Sequence, residues 1–108
     1  MSKPIIDKAE VSIEFPDKFY HGSFGRDCRF DVTADEHGAH ISLDRAGEDH
    51  RHVEFHLHYH LLGDILKALG PALTHTEMLP HEREALQNAA RELDKTLGKK
   101  PRARSKQT

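Results

Sequence analysis

The chain has little cysteine, no long apolar run and no internal repeat, and each shortage removes a class of protein. A single cysteine, Cys28, among 108 residues excludes an internal disulfide framework and suits a reducing compartment. No apolar stretch approaches the ~20 residues that cross a bilayer as a helix. The opening Met1-Ser2-Lys3-Pro4-Ile5-Ile6-Asp7 lacks the basic and apolar blocks of a secretory leader. A cytoplasmic protein with no membrane association is therefore expected. Positive charge is also scarce in the body: residues 1–97 hold 11 basic against 18 acidic residues, a net −7. An acidic surface disfavours contact with a phosphate backbone. Only the end of the chain, with Lys99, Lys100, Arg102, Arg104 and Lys106, is basic. It has no aromatic and no periodicity, so residues 99–108 read as a disordered basic tail after a single domain over 1–98. Nucleic acid is not expected as a partner, the tail apart.

Periodicity supplies the architecture. Lys8–Phe15 alternates, with Ala9, Val11, Ile13 and Phe15 apolar, and Pro16-Asp17 ends it. Lys18–Asp27 contains Gly22 and Gly25 and reads as a long, partly packed connection. The segment Gly22-Ser23-Phe24-Gly25-Arg26 lacks the spacing of a phosphate loop and reads as a turn that tucks Phe19, Tyr20 and Phe24 onto the core edge. Cys28–Asp35 alternates again, with Cys28 among the inward residues. The turn Glu36-His37-Gly38 leads to Ala39–Arg45, and Ala46–Asp49 to the next strand. Three such strands joined by short turns form an antiparallel meander.

Beyond His60 the period lengthens. Leu62, Ile65, Leu66, Leu69 and Leu73 recur at helical spacing up to the stop signal Gly70-Pro71. Pro80 opens a second helix with Glu82 and Glu84 at its positive end. Leu86, Ala89, Ala90, Leu93 and Leu97 form its stripe, and Gly98 ends it. The expected fold is α+β: a four-stranded antiparallel sheet with two C-terminal helices packed on one face, and the other face polar and open.

That polar face carries the most distinctive residues of the chain. In His50–Leu61, Val53, Phe55, Leu57, Tyr59 and Leu61 alternate with His50, His52, Glu54, His56, His58 and His60. A period of two places the imidazoles and Glu54 on one side of a strand. Matching inward residues around the turns sets Leu43 opposite Val53 and Ile41 opposite Phe55. Asp44 then faces His52, Ser42 faces Glu54 and His40 faces His56; Val32 pairs with Ile41, Arg29 with Asp44 and Asp31 with Ser42.

Three chemistries fit such a face. His40, His56 and His58 form a candidate set of metal ligands for zinc, nickel or copper, with Glu54 or Asp31 as an oxygen donor. Cross-strand Cβ atoms lie ~5 Å apart, a gap that two Zn–N bonds of ~2.0 Å can span. Alternatively, protonation of the imidazoles near pH 6 would charge the face and weaken any contact made through it. Finally, His56-Leu57-His58-Tyr59-His60-Leu61-Leu62 resembles the signature of the histidine triad nucleotide hydrolases and transferases. The resemblance spans seven residues and implies a phosphoryl-handling enzyme with His58 as nucleophile. Where that family carries its Gly-Gln-Ser lead-in, Arg51-His52-Val53-Glu54-Phe55 stands here. The leading expectation is a non-enzymatic binding protein that uses His40, Asp44, His52, Glu54, His56 and His58 as a surface. A protein partner or a second copy would sit on that surface, with a divalent transition metal as the cofactor in the metal-linked variant.

Overall fold

The computed structural model describes residues 2–99, so the basic tail foreseen for residues 99–108 falls, after Lys99, outside the described residues. Six strands and two helices follow in the order β1 (Lys3–Pro4), β2 (Ala9–Phe15), β3 (Lys18–Phe24), β4 (Arg29–Ala34), β5 (Gly38–Arg45), β6 (Arg51–His58), α1 (Tyr59–Ala72) and α2 (Pro80–Leu97). The fold is α+β. A four-stranded antiparallel sheet runs in the order β1-β4-β5-β6, and β2 and β3 form a separate two-stranded sheet. The chain divides into two compact units, residues up to Leu69 and residues from Gly70 onward. No described helix is long and apolar enough to cross a membrane.

In the first unit, the meander β4-β5-β6 has the register that alternation implies. Leu43 faces Val53, Ile41 faces Phe55, Asp44 faces His52, Ser42 faces Glu54 and His40 faces His56. Across the other side of β5, Val32 pairs with Ile41, Arg29 with Asp44 and Asp31 with Ser42. A slip of one residue would turn every side chain to the wrong face, which is why the apolar pattern determines this pairing so sharply. The β4–β5 turn is tight: the Asp35 N–H donates to the Gly38 carbonyl at 3.0 Å. The longer β5–β6 connection contains Gly47 at φ 107°, a left-handed conformation that glycine adopts without steric cost.

Two assignments differ from the sequence reading. Residues 18–24 are a strand and not a connection. Phe15 pairs directly with Lys18 and Ala9 with Phe24, so Pro16-Asp17 is the whole of a two-residue hairpin turn, and Gly22 is accommodated opposite Val11. The hairpin thus leaves the main sheet, and its fourth place is taken by the short β1, where Lys3 pairs with Phe30 and Pro4 with Arg29.

The core of this unit is small. Ile5, Phe24, Cys28 and Ala39 are buried, and Val11, Phe30, Leu43 and Val53 pack partly buried against Ile5, Phe24 and Cys28. Of the three aromatics expected at the core edge, Phe24 is buried, whereas Phe19 and Tyr20 are exposed farther out along the hairpin. Arginines fasten this end. Arg51 Nη1 donates to the Ser23 carbonyl at 2.7 Å and Arg51 Nη2 pairs with Asp49 at 2.6 Å. Arg45 bridges Asp27 at 3.2 Å and Asp49 at 3.3 Å.

Helix α1 runs through Gly70 and includes Pro71, two residues past the expected stop. The end comes by tightening: the Leu73 and Thr74 N–H groups donate to the Gly70 and Pro71 carbonyls, each at 3.1 Å, the three-residue step common at helix termini. In the second unit, α2 opens at Pro80 and its C-cap is Gly98. The Leu79 N–H donates to the Glu82 carboxylate at 3.1 Å, which satisfies one of the free donors of the helix start. Neither helix has a buried residue, and Leu66, Leu69, Leu86 and Leu93 of the two stripes stay about half exposed.

Candidate metal centre

The polar face of β5 and β6 brings together His40, Ser42 and Asp44 with His52, Glu54, His56 and His58. Its tightest point is at the β4–β5 turn. The His40 and His56 rings stack with centroids 3.9 Å apart and planes 8° from parallel. His40 Nε2 lies 2.9 Å from Asp35 Oδ2, and His40 Nδ1 lies 3.6 Å from Glu54 Oε2. His56 Nε2 lies 3.9 Å from Asp35 Oδ1. One ligand atom from each of Asp35, His40 and His56 falls within 4.8 Å of the other two.

Asp35 is held in place by its own turn. Its Oδ1 accepts the backbone N–H of His37 at 2.8 Å and of Gly38 at 3.0 Å. Its carbonyl oxygen accepts the Tyr59 hydroxyl at 2.6 Å. Such a local loop of side chain onto backbone is characteristic of aspartate at turns. The turn also needs Gly38: a Cβ there would lie 2.3 Å from the Leu57 carbonyl oxygen and 2.9 Å from His58 Cα. Glycine lets β5 and β6 approach at the point where Gly38 faces His58.

The electrostatics follow from these contacts. The hydrogen bond to His40, reinforced by the two backbone N–H groups, holds the Asp35 carboxyl well below the usual carboxylate range. Reciprocally, the Asp35 carboxylate, with a smaller contribution from Glu54, raises the His40 pKa above its ordinary value of 6.5.

The remaining side chains continue the pattern along β6. Glu54 lies between His40 and His52, with His52 Nε2 3.6 Å from Glu54 Oε1. Asp44 lies between His52 Nδ1 at 3.2 Å and His50 Nε2 at 3.6 Å. Carboxylate and imidazole therefore alternate in one connected row: His50, Asp44, His52, Glu54, His40, Asp35, His56. At the other end the His58 ring lies 4.9 Å from that of His56 and 6.4 Å from that of His37.

Sequence reasoning named His40, His56 and His58 as ligands, with Glu54 or Asp31 for oxygen. The structure groups His40 and His56 with Asp35 instead. Among the described residues, His58 does not belong to that set. Asp31 accepts the Val32 N–H at 2.9 Å, and Glu54 sits on the far nitrogen of His40. Alternation carries Asp35 to the end of Cys28–Asp35 but does not mark it as a ligand, because only the β4–β5 turn brings its carboxylate to His40. The visible signal was the short sequence Asp35-Glu36-His37-Gly38, in which an aspartate loops back to the strand holding His40. The triad-like alternation ends at His58, since His60 lies in the first turn of α1.

Comparison of the chain with protein-family models, with curated proteins and with solved structures finds no match.

Proposed function

We propose that this chain is a non-enzymatic binding protein whose polar sheet face holds a divalent transition metal ion. The ligands are Asp35, His40 and His56. The observation that carries this reading is the convergence of two imidazole nitrogens and a carboxylate oxygen within 4.8 Å.

The distances suit the chemistry. Ligand atoms on a tetrahedral zinc ion, with bonds of ~2.0–2.2 Å, stand ~3.3 Å apart. His40 Nε2 stands 2.9 Å from Asp35 Oδ2 and His56 Nε2 3.9 Å from Asp35 Oδ1, and a bound ion would draw the three donors, now within 4.8 Å of one another, in to that spacing. Outer contacts support the ligands: backbone N–H groups orient Asp35, and Glu54 faces the second nitrogen of His40 as carboxylates commonly do behind a ligating histidine. Imidazole with carboxylate suits zinc, nickel and copper(II) better than the all-oxygen preference of calcium or magnesium. Three protein donors leave a coordination position for water or a partner's side chain.

The test is calorimetric titration of chelator-treated, untagged protein with zinc, nickel and copper(II). One ion per chain is expected, with binding lost in Asp35→Asn and His56→Ala and retained in His50→Ala. Binding that survives Asp35→Asn and His56→Ala unchanged would overturn the assignment.

A further inference from the structure

We infer that the open edge of β6 pairs with β6 of a second copy of this chain, antiparallel about Phe55, to make a two-fold dimer with a continuous sheet. The two edges of the four-stranded sheet differ in kind. One edge is β1, two residues long and composed of Lys3 and Pro4. Shortness, lysine and proline are the usual means by which a sheet edge resists pairing with another chain. The other edge is β6, eight residues from Arg51 to His58. It contains neither lysine nor proline, and it pairs residue for residue with β5 from Arg45↔Arg51 to Gly38↔His58 without a bulge. Among the described residues its only strand partner is β5, so its outer backbone groups have no strand within the chain to pair with.

Self-complementarity selects the partner. In a two-fold antiparallel pair, residues directly opposite share a face, so the dyad must pass beside a residue of the strand. A dyad at Phe55 sets Glu54 of each copy opposite His56 of the other, two carboxylate–imidazole pairs. On the other face Val53 meets Leu57, and Phe55 meets Phe55. Phe55 is 37% exposed, and aromatic and aliphatic cross-strand pairs of this kind stabilise a sheet. Moving the dyad to Glu54 sets Glu54 against Glu54. Moving it to His56 sets two imidazoles together and shortens the ladder. Only the Phe55 register combines a long overlap with carboxylate facing imidazole on one face and apolar pairs on the other.

This pairing does not depend on a metal, so its test is run in chelator on the full chain. Sedimentation equilibrium is expected to give twice the 12.3 kDa chain mass. Opposite Cα atoms lie about 4.5–5.5 Å apart, within disulfide reach. Phe55→Cys should therefore form a covalent dimer on mild oxidation. Val53→Cys alone should not, because its two copies would stand ~13 Å apart, whereas a mixture of Val53→Cys and Leu57→Cys should cross-link. The native chain, whose Cys28 is buried, should not cross-link. A mass of one chain at all concentrations overturns the inference without using a variant. Cross-linking of Val53→Cys with itself overturns the register. A dimer that falls apart in chelator replaces edge pairing with a metal bridge, and a mass raised only by a second, different protein replaces the second copy.

Discussion

The rings of His40 and His56 face each other across β5 and β6 at 3.9 Å, almost parallel. Two imidazolium ions stacked in this way would repel. Carboxylates at both nitrogens of His40 favour the positive charge on that ring. The Asp35–His40 contact is therefore the electrostatic centre of the face, and a metal ion would have to displace its proton.

Titration of the His40 ring by NMR should give a pKa above 6.5, returning toward that value in Asp35→Asn. The sign for stability follows from both partners. His40 contributes fully below 6.5, and its contribution is lost as the pH rises through its raised folded value. Asp35 contributes above 3.8, and its contribution is lost as the pH falls toward its lowered folded value. The pair thus stabilises most between these two unfolded-state values. The difference in urea midpoint between native protein and Asp35→Asn should be larger at pH 5.5 than at pH 8.5.

Zinc affinity should rise with pH, because the ion competes with the His40 proton. The His40 proton by itself accounts for about tenfold per pH unit below the His40 pKa. Glu54→Gln, which changes the group behind the ligand and keeps its shape, should weaken binding about 10- to 100-fold. Calorimetry in two buffers of different ionisation enthalpy measures the proton release directly.

Gly38→Ala should damage both fold and site. The added Cβ meets the Leu57 carbonyl at 2.3 Å, and backbone cannot yield as a flexible side chain does. A loss of about 1–3 kcal/mol is expected for such overpacking. It should be accompanied by weaker zinc binding, since the strands that must part carry His40 and His56. Equilibrium unfolding and zinc titration of the same variant check the two effects together.

Phe24→Ala should cost about 3–5 kcal/mol. Phe24 is 3% exposed and, among the described residues, is the only aromatic of the four buried apolar ones, so few neighbours can close over the space it leaves. Denaturant unfolding measures the loss. A change below 1 kcal/mol would show that the hairpin is not anchored through this ring.

Much of the sheet could be read from the residues in order. The alternation in Cys28–Asp35, Ala39–Arg45 and Arg51–His58 carries the register of β4, β5 and β6, because a period of two records which side chains point inward. Opposing apolar residues then align the polar ones. Pro80, Glu82 and Gly98 likewise mark α2, because helix ends are governed by local hydrogen bonding. The hairpin of β2 and β3 was hidden by Gly22 and Gly25, which resemble loop residues until Pro16-Asp17 is seen to join two paired strands.

The sequence by itself determined that His40, His52, Glu54, His56 and His58 share one face, since that depends only on alternation along each strand. Tertiary structure decided that Asp35, at the end of its strand's alternation, reaches His40 and His56, and that among the described residues His58 does not join them. The reason is geometric: a side chain's face repeats with the local backbone, whereas the approach of a turn to a neighbouring strand depends on how tightly the chain closes. Here that closure rests on Gly38 and on the Tyr59 hydroxyl, two residues that no ligand pattern contains.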